Sequence, residues 1–241
     1  MRDVSFRPTR QSTFFVLSGP GGTGKTTLIK KWRQRSPDLG YVANVTTRAP
    51  RPASAVNEEG FYKFVSRERF RELVEANAFV QWVNPSPGKY YGTPIAPLRD
   101  AIETGADLVF DYTPQLYLNM RRAFRNHTVG IFVIPPSFRE LVHRLKSRGT
   151  ETGQELDIKV QMALQDLGYI AEHDYHVIND DLEETLATLM AIRVAEQHRL
   201  ARNASVMGTY DAMAPRTMLF YYDPLGTRLK SIAPSGADCV P

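Results

Sequence analysis

Four short runs of apolar, β-prone residues punctuate the chain: TFFVLSG (13–19), DLVFDY (107–112), VGIFVIP (129–135) and YHVIN (175–179). Runs this continuous suit strands buried on both faces. Between them, leucines recur at helical spacing, as at Leu141 and Leu145 and again at Leu182, Leu186 and Leu189. Strands alternating with amphipathic helices predict an α/β fold, a parallel sheet flanked by helices.

Three stretches break that rhythm. From 41 to 93, YVANVTT, FYKFV and FVQWV read as strands separated by proline-rich turns, which predicts a small, mostly antiparallel lobe inserted into the core. Inside it, FVQWVNPSPGKYYGTP (79–94) holds an apolar run interrupted by Gln81, then a Pro/Gly turn and two adjacent tyrosines. Residues 147–167 are polar, charged and helix-prone without a strong apolar face, the pattern of a mobile flap. Residues 203–241 change pattern again, with two strand-like runs around Asp223-Pro224-Leu225-Gly226 that predict a hairpin.

A chain of 241 residues that is 42% hydrophobic fits one well-cored domain with insertions and excludes disordered, collagenous and coiled-coil classes. The excess of 30 basic over 26 acidic residues, a net charge of +4, suits an anionic small molecule and falls short of a nucleic-acid polymer as partner. A single cysteine, Cys239, can form neither an internal disulfide nor a cysteine metal cluster, which favours a reducing compartment. The N-terminal MRDVSFRPTR lacks the apolar segment of a secretion signal and no run reaches membrane-span length, so a cytoplasmic chain with no membrane partner is expected.

Directly after the first strand stands GPGGTGKTT (19–27), the pattern G-x-x-x-x-G-K-[ST] in a strand-loop-helix setting. Gly19, Gly22, Thr23, Gly24, Lys25, Thr26 and Thr27 are therefore the candidate ATP-binding residues. Glycines let the backbone wrap a phosphate, and the N–H groups at the helix start point at the anion. Lys25 reaches the β and γ phosphates, and Thr26 ligates Mg2+. The loop establishes triphosphate binding but neither the reaction nor the acceptor.

With LSGPGGTGKTTLIKKW stand PDLGYVANVTTRAPRP, FYKFVSRERF, KYYGTP, IPPSFRELVHRLKSRGT and NDDLEETL, in the order found in guanylate kinases. From about 14 to 193 the chain resembles that family. The resemblance implies a P-loop core (12–40, 94–146 and 168–202), an acceptor-binding lobe (41–93) and a helical lid (147–167), together a domain over 12–202. Residues 203–241 match nothing in the family and are a C-terminal extension.

The implied activity is transfer of the γ-phosphoryl of ATP, with Mg2+, to a small-molecule phosphomonoester, a purine nucleoside monophosphate with GMP as the family default, by a monomer or homodimer. Arg48, Arg51, Tyr62 and Tyr91 match the family's acceptor-phosphate ligands, and planar guanidinium forks suit phosphate oxygens. Thr93 of KYYGTP belongs to the same acceptor set. Arg144 and Arg148 match arginines that bridge the ATP phosphates, Asn179 the residue beside adenine, and Lys159 stands where the family has a lid arginine. Lysine keeps that charge but loses the bidentate fork.

Three base-facing positions depart from the family. Gln81 replaces a glutamate, Thr113 an aspartate and Asn44 a serine, while the neighbouring carboxylate is kept as Asp111. A carboxylate accepts from both N1–H and the 2-amino group of guanine, whereas glutamine offers one acceptor. Each unpaired donor costs about 1–3 kcal/mol, roughly 5- to 150-fold in affinity, so guanine is expected to be a poor acceptor unless water or another side chain compensates. Neutral side chains also suit a phosphorylated sugar, as in ribose 1,5-bisphosphate phosphokinase. Scaffold proteins use guanylate-kinase-like domains as non-catalytic phospho-ligand modules, but those typically lose the working P-loop that Gly24, Lys25 and Thr26 retain here.

Overall fold

A computed structural model describes residues 10–50, 60–147 and 153–203. In chain order the elements are β1 (Phe14–Ser18), α1 (Lys25–Arg35), β2 (Gly40–Tyr41), β3 (Asn44–Thr46), β4 (Tyr62–Phe64), α2 (Arg67–Glu75), β5 (Phe79–Ser86), β6 (Lys89–Pro94) and α3 (Ala96–Thr104). They continue with β7 (Leu108–Asp111), α4 (Pro114–Ala123), β8 (Thr128–Ile134), α5 (Phe138–Ser147), α6 (Gly153–Leu167), β9 (Tyr175–Ile178) and α7 (Leu182–His198). The hairpin expected around 223–226, Arg51 and Arg148 lie outside the described residues.

All of β1 is buried because its alternating side chains enter two different cores. Phe15 and Leu17 pack with Leu28, Ile29 and Trp32 of α1 and with Leu186, Leu189 and Ile192 of α7. Phe14 and Val16 face the other way, onto Leu98 of α3 and Tyr117 and Met120 of α4. The sheet between these layers runs β2-β7-β1-β8-β9, and every ladder in it is parallel. The four apolar runs of the sequence are β1, β7, β8 and β9, and Leu141, Leu145, Leu186 and Leu189 are buried on their helices. Among the described residues no helix is long and apolar enough to cross a membrane.

The second sheet runs β4-β3-β6-β5. Its β3/β6 and β5/β6 ladders are antiparallel and β3/β4 is parallel, and the lobe also carries α2, which the sequence reading did not foresee. Tyr41, read as the start of the lobe, pairs with Val109 in the core sheet instead. One irregularity matters for function. Phe79 pairs with Pro94 but Gln81 with Thr93, so β5 carries one extra residue at Val80. Regular alternation would put Phe79 and Gln81 on one face; the bulge reverses the parity. Phe79 covers Gly92 and stacks on Phe70 at 4.8 Å on the outer face, with Trp82 beside them. Gln81 turns inward.

The lid helix α6 does have a narrow apolar stripe, contrary to the sequence reading. Leu156, Val160 and Ala163 pack on Leu141 and Leu145 of α5. Exposed Ile158, Met162 and Leu164 on the remaining faces blur that stripe in the sequence.

Candidate functional site

In open α/β sheets ligands sit beyond the carboxyl ends of the strands. Here the loop after β1 and the residues after β7 meet there. Gly24, at φ 90°, caps α1, and Gly19, at φ 129°, passes so close to β8 that a Cβ would stand 2.6 Å from the Val133 carbonyl. Both conformations favour glycine. Lys25 Nζ donates to the Gly19 and Pro20 carbonyls at 2.8 and 2.9 Å, which places its ammonium at the mouth of the loop. Thr23 Oγ1 closes the turn on the Pro20 carbonyl at 3.0 Å, and Thr27 is exposed.

Thr26 Oγ1 donates to Asp111 Oδ2 at 2.7 Å. Asp111 was expected on the acceptor side; its carboxylate belongs with the P-loop, because β7 lies next to β1 and ends level with it. Asn179, expected beside the adenine, buttresses the loop. Its Nδ2 donates to the Thr23 carbonyl at 2.7 Å and lies against Gly24. Arg144 donates through NH1 to the Asn179 carbonyl at 3.3 Å and through Nε to Glu140 at 2.8 Å, so it reaches the same end of the loop. Lys159 is exposed on α6.

A cavity of about 550 Å³ joins this loop to the inserted lobe. Gly19, Lys25 and Asp111 line one side, and Asn44, Tyr62, Gln81, Tyr91 and Thr93 line the other. Tyr62 and Tyr91 meet edge to face at 6.2 Å, and the Arg48 guanidinium stands over the Tyr62 ring at 5.2 Å. Thr113 also lines the cavity, as the N-cap of α4, with no side-chain capping bond. Trp82, next to Gln81, points out of the lobe and is 48% exposed.

A sequence model of the guanylate kinase family matches residues 11–196. The chain belongs to the guanylate kinase family. It is 34% identical to the guanylate kinase of Maricaulis maris over 208 residues, covering 86% of this chain and 94% of that one. It is 37% identical to that of Desulfitobacterium hafniense over 192 residues, 79% and 94% of the two chains. Among solved structures it is similar to the guanylate kinase of Anaplasma phagocytophilum, with a TM-score of 0.68 and 25% identity over 85% of this chain and 96% of that one.

For a guanylate kinase family member, the sequence reading overlooked several cavity residues. Tyr112 follows β7, Gln115, Leu116 and Asn119 come from α4, and Met162, Gln165 and Asp166 from the lid helix. The only sequence signal was the shared helical face of 115 with 119 and of 162 with 165 and 166. Burial pushes the Asp166 carboxyl above the ordinary aspartate range, against the pull of the Lys25 ammonium and of Gln115. Burial likewise pushes the Tyr112 hydroxyl well above the tyrosine range.

Proposed function

We propose that this chain transfers the γ-phosphoryl group of ATP to GMP, giving GDP and ADP. The observation that carries the reading is that one cavity holds the P-loop lysine on one wall and the Tyr62/Tyr91 pair with Gln81, Asn44 and Thr93 on the other. Donor and acceptor phosphates can then be brought in line, and transfer between phosphates is mainly a matter of positioning and charge neutralisation. The acceptor phosphate is already ionised near neutral pH, so no general base is required.

Lys25 and the N–H groups of residues 22–27 hold the ATP phosphates, with Arg144, Arg148 and Lys159 stabilising the charge that spreads over the transferring group. Arg48, Arg51, Tyr62 and Tyr91 hold the acceptor phosphate, while Asn44, Gln81, Thr93 and Thr113 face its base. The Thr26 hydroxyl and Asp111 carboxylate, 2.7 Å apart, are hard oxygen donors of the kind Mg2+ takes. They would hold the ion, which neutralises phosphate charge when bound. Division into core, acceptor lobe and lid, with the lid excluding water on closing, is part of the same reading. So are a cytoplasmic location, supported by the single cysteine, and a monomeric or homodimeric state.

Release of ADP from ATP and Mg2+ in the presence of GMP tests the proposal. Lys25→Ala is expected to lower kcat by about a hundredfold or more, as for loss of one charge-stabilising group. Wild-type protein that releases no GMP-dependent ADP sinks it.

A further inference from the structure

Asn44, Thr93 and Gln81 form a row across three neighbouring strands, β3, β6 and β5, with Tyr112 behind it. The hydrogen bonds along this row run one way. Gln81 Nε2 donates to the Leu116 carbonyl at 3.3 Å, which can only accept, so the amide orientation of Gln81 is fixed. Thr93 Oγ1 donates to Asn44 Oδ1 at 3.1 Å. Having spent its proton there, Thr93 must accept from the Tyr112 hydroxyl, 2.6 Å away.

The two ends of the row are thereby given opposite characters. With its Oδ1 engaged, Asn44 offers Nδ2 as a donor. With its amide nitrogen engaged, Gln81 offers Oε1, which is buried and without a partner among the described residues. Leaving such an acceptor unpaired is unfavourable, so a ligand N–H placed there is strongly selected. Among the described residues the cavity's two carboxylates are engaged elsewhere. Asp111 is tied to Thr26, and Asp166 lies with Gln115 and Lys25.

We propose that the base site recognises 6-oxopurine nucleoside monophosphates as a class and is blind to the 2-amino group, so that inosine monophosphate is an acceptor alongside GMP. A 6-oxopurine presents a carbonyl oxygen next to an N1–H, the complement of the Asn44 donor and the Gln81 acceptor. Both hypoxanthine and guanine carry that edge. Adenine presents an amino donor and a bare N1 acceptor, which places like against like at both ends. The side chains of the row are all neutral, so a base without the 2-amino group leaves no charge of the row unpaired.

In the reaction with inosine monophosphate an acceptor phosphate oxygen forms the new bond to the γ-phosphorus of ATP. The bond from that phosphorus to the β–γ bridging oxygen breaks, and the oxygen leaves with ADP. The products are inosine diphosphate and ADP, with no oxidant or further reactant.

The inference deepens the GMP kinase reading and rests on it. The test is ADP release by the full chain with ATP, Mg2+ and, separately, GMP, inosine monophosphate and AMP. Expected is a kcat/KM for inosine monophosphate within about tenfold of that for GMP, the span of one neutral hydrogen bond, with AMP at least about a hundredfold lower. A deficit larger than tenfold for inosine monophosphate overturns the inference and leaves the GMP kinase reading intact, as does AMP turnover within tenfold of GMP. No turnover of either oxopurine removes both readings. Gln81→Glu supplies the second check. Its carboxylate, repelled by the Leu116 carbonyl, turns toward the base and restores a second acceptor, so the preference for GMP over inosine monophosphate should rise by about tenfold or more. An unchanged ratio means that Gln81 is not the reader.

Discussion

Asn179→Ala isolates the support of the P-loop from its chemistry. The Asn179 side chain donates to the Thr23 carbonyl at 2.7 Å from a position that is 9% exposed, and it fills the space where a Cβ on Gly24 would stand. Truncation leaves that buried carbonyl without its donor, a cost of about 1–3 kcal/mol. The carbonyl sits inside the loop that must be ordered to bind phosphates, so the cost falls on the ATP-competent conformation. If all of it appears in binding, KM for ATP rises by roughly 5- to 150-fold. KM for GMP should stay within about twofold, because Asn179 does not line the acceptor cavity. Initial-rate kinetics with each substrate varied in turn separate the two constants. Asn179→Asp, which keeps the volume but loses the donor, should behave like the alanine variant. An ATP KM unchanged in both variants would refute the buttressing argument; a normal value in the aspartate variant alone would assign the role to packing.

Three further outcomes follow from the same geometry. The His173 ring stacks on Tyr117 at 4.1 Å and meets Phe132 at 4.9 Å, with Nε2 buried and unpartnered, and burial holds its pKa below the ordinary histidine value against Asp174 and Glu172. The unfolded chain therefore takes the proton first: stability is complete above about pH 6.5 and is lost as pH falls from there through the lower folded value. Melting temperatures between about pH 7.5 and pH 5 should show this loss, and His173→Phe should reduce it; an equal slope in the variant counts against the assignment. Glu196, 1% exposed, accepts from Arg202 Nε and the Tyr175 hydroxyl, both at 2.7 Å. Glu196→Gln leaves the buried Arg202 without its countercharge and should cost about 3 kcal/mol, or roughly 6–12 °C in melting temperature, whereas a loss near zero in urea titrations would mean that Arg202 finds another partner. Finally, Thr26→Ala should raise the Mg2+ concentration needed for half-maximal rate at fixed ATP, and an unchanged Mg2+ dependence would dissociate the Thr26–Asp111 pair from the ion.

Three core strands were legible because β1, β7 and β8 are buried on both faces and so appear as unbroken apolar runs, while the edge strand β9, with His176 and Ile178 exposed, was legible from its short β-prone run YHVI. The P-loop was legible because its glycine positions and lysine are a local requirement of wrapping phosphate. Tyr62, Tyr91 and Arg48 came from the family resemblance, and the structure brings them together. What escaped depends on distant partners. Asp111 looks like a base-side carboxylate until its hydrogen bond with Thr26 is seen. Asp166 and Met162 reach the cavity only because α6 docks on α5 through Leu156, Val160 and Ala163. Nothing local announces the extra residue at Val80 that turns Gln81 inward. A one-residue change of parity depends on pairing across strands, not on composition.

The same bulge that turns Gln81 into the cavity leaves Trp82 half in solvent, beside Phe70 and Tyr90. The chain has only two tryptophans, and the other, Trp32, is fully buried between α1 and the core sheet. Each therefore senses a different event. Emission from Trp82 reports on the solvent-facing side of the lobe, next to Phe70 and Tyr90, while emission from Trp32 reports on the packing of the core. The protein thus carries two native optical probes in different surroundings, one half in solvent on the inserted lobe and one sealed in the core, so red-edge excitation of the exposed ring can follow the lobe apart from the core.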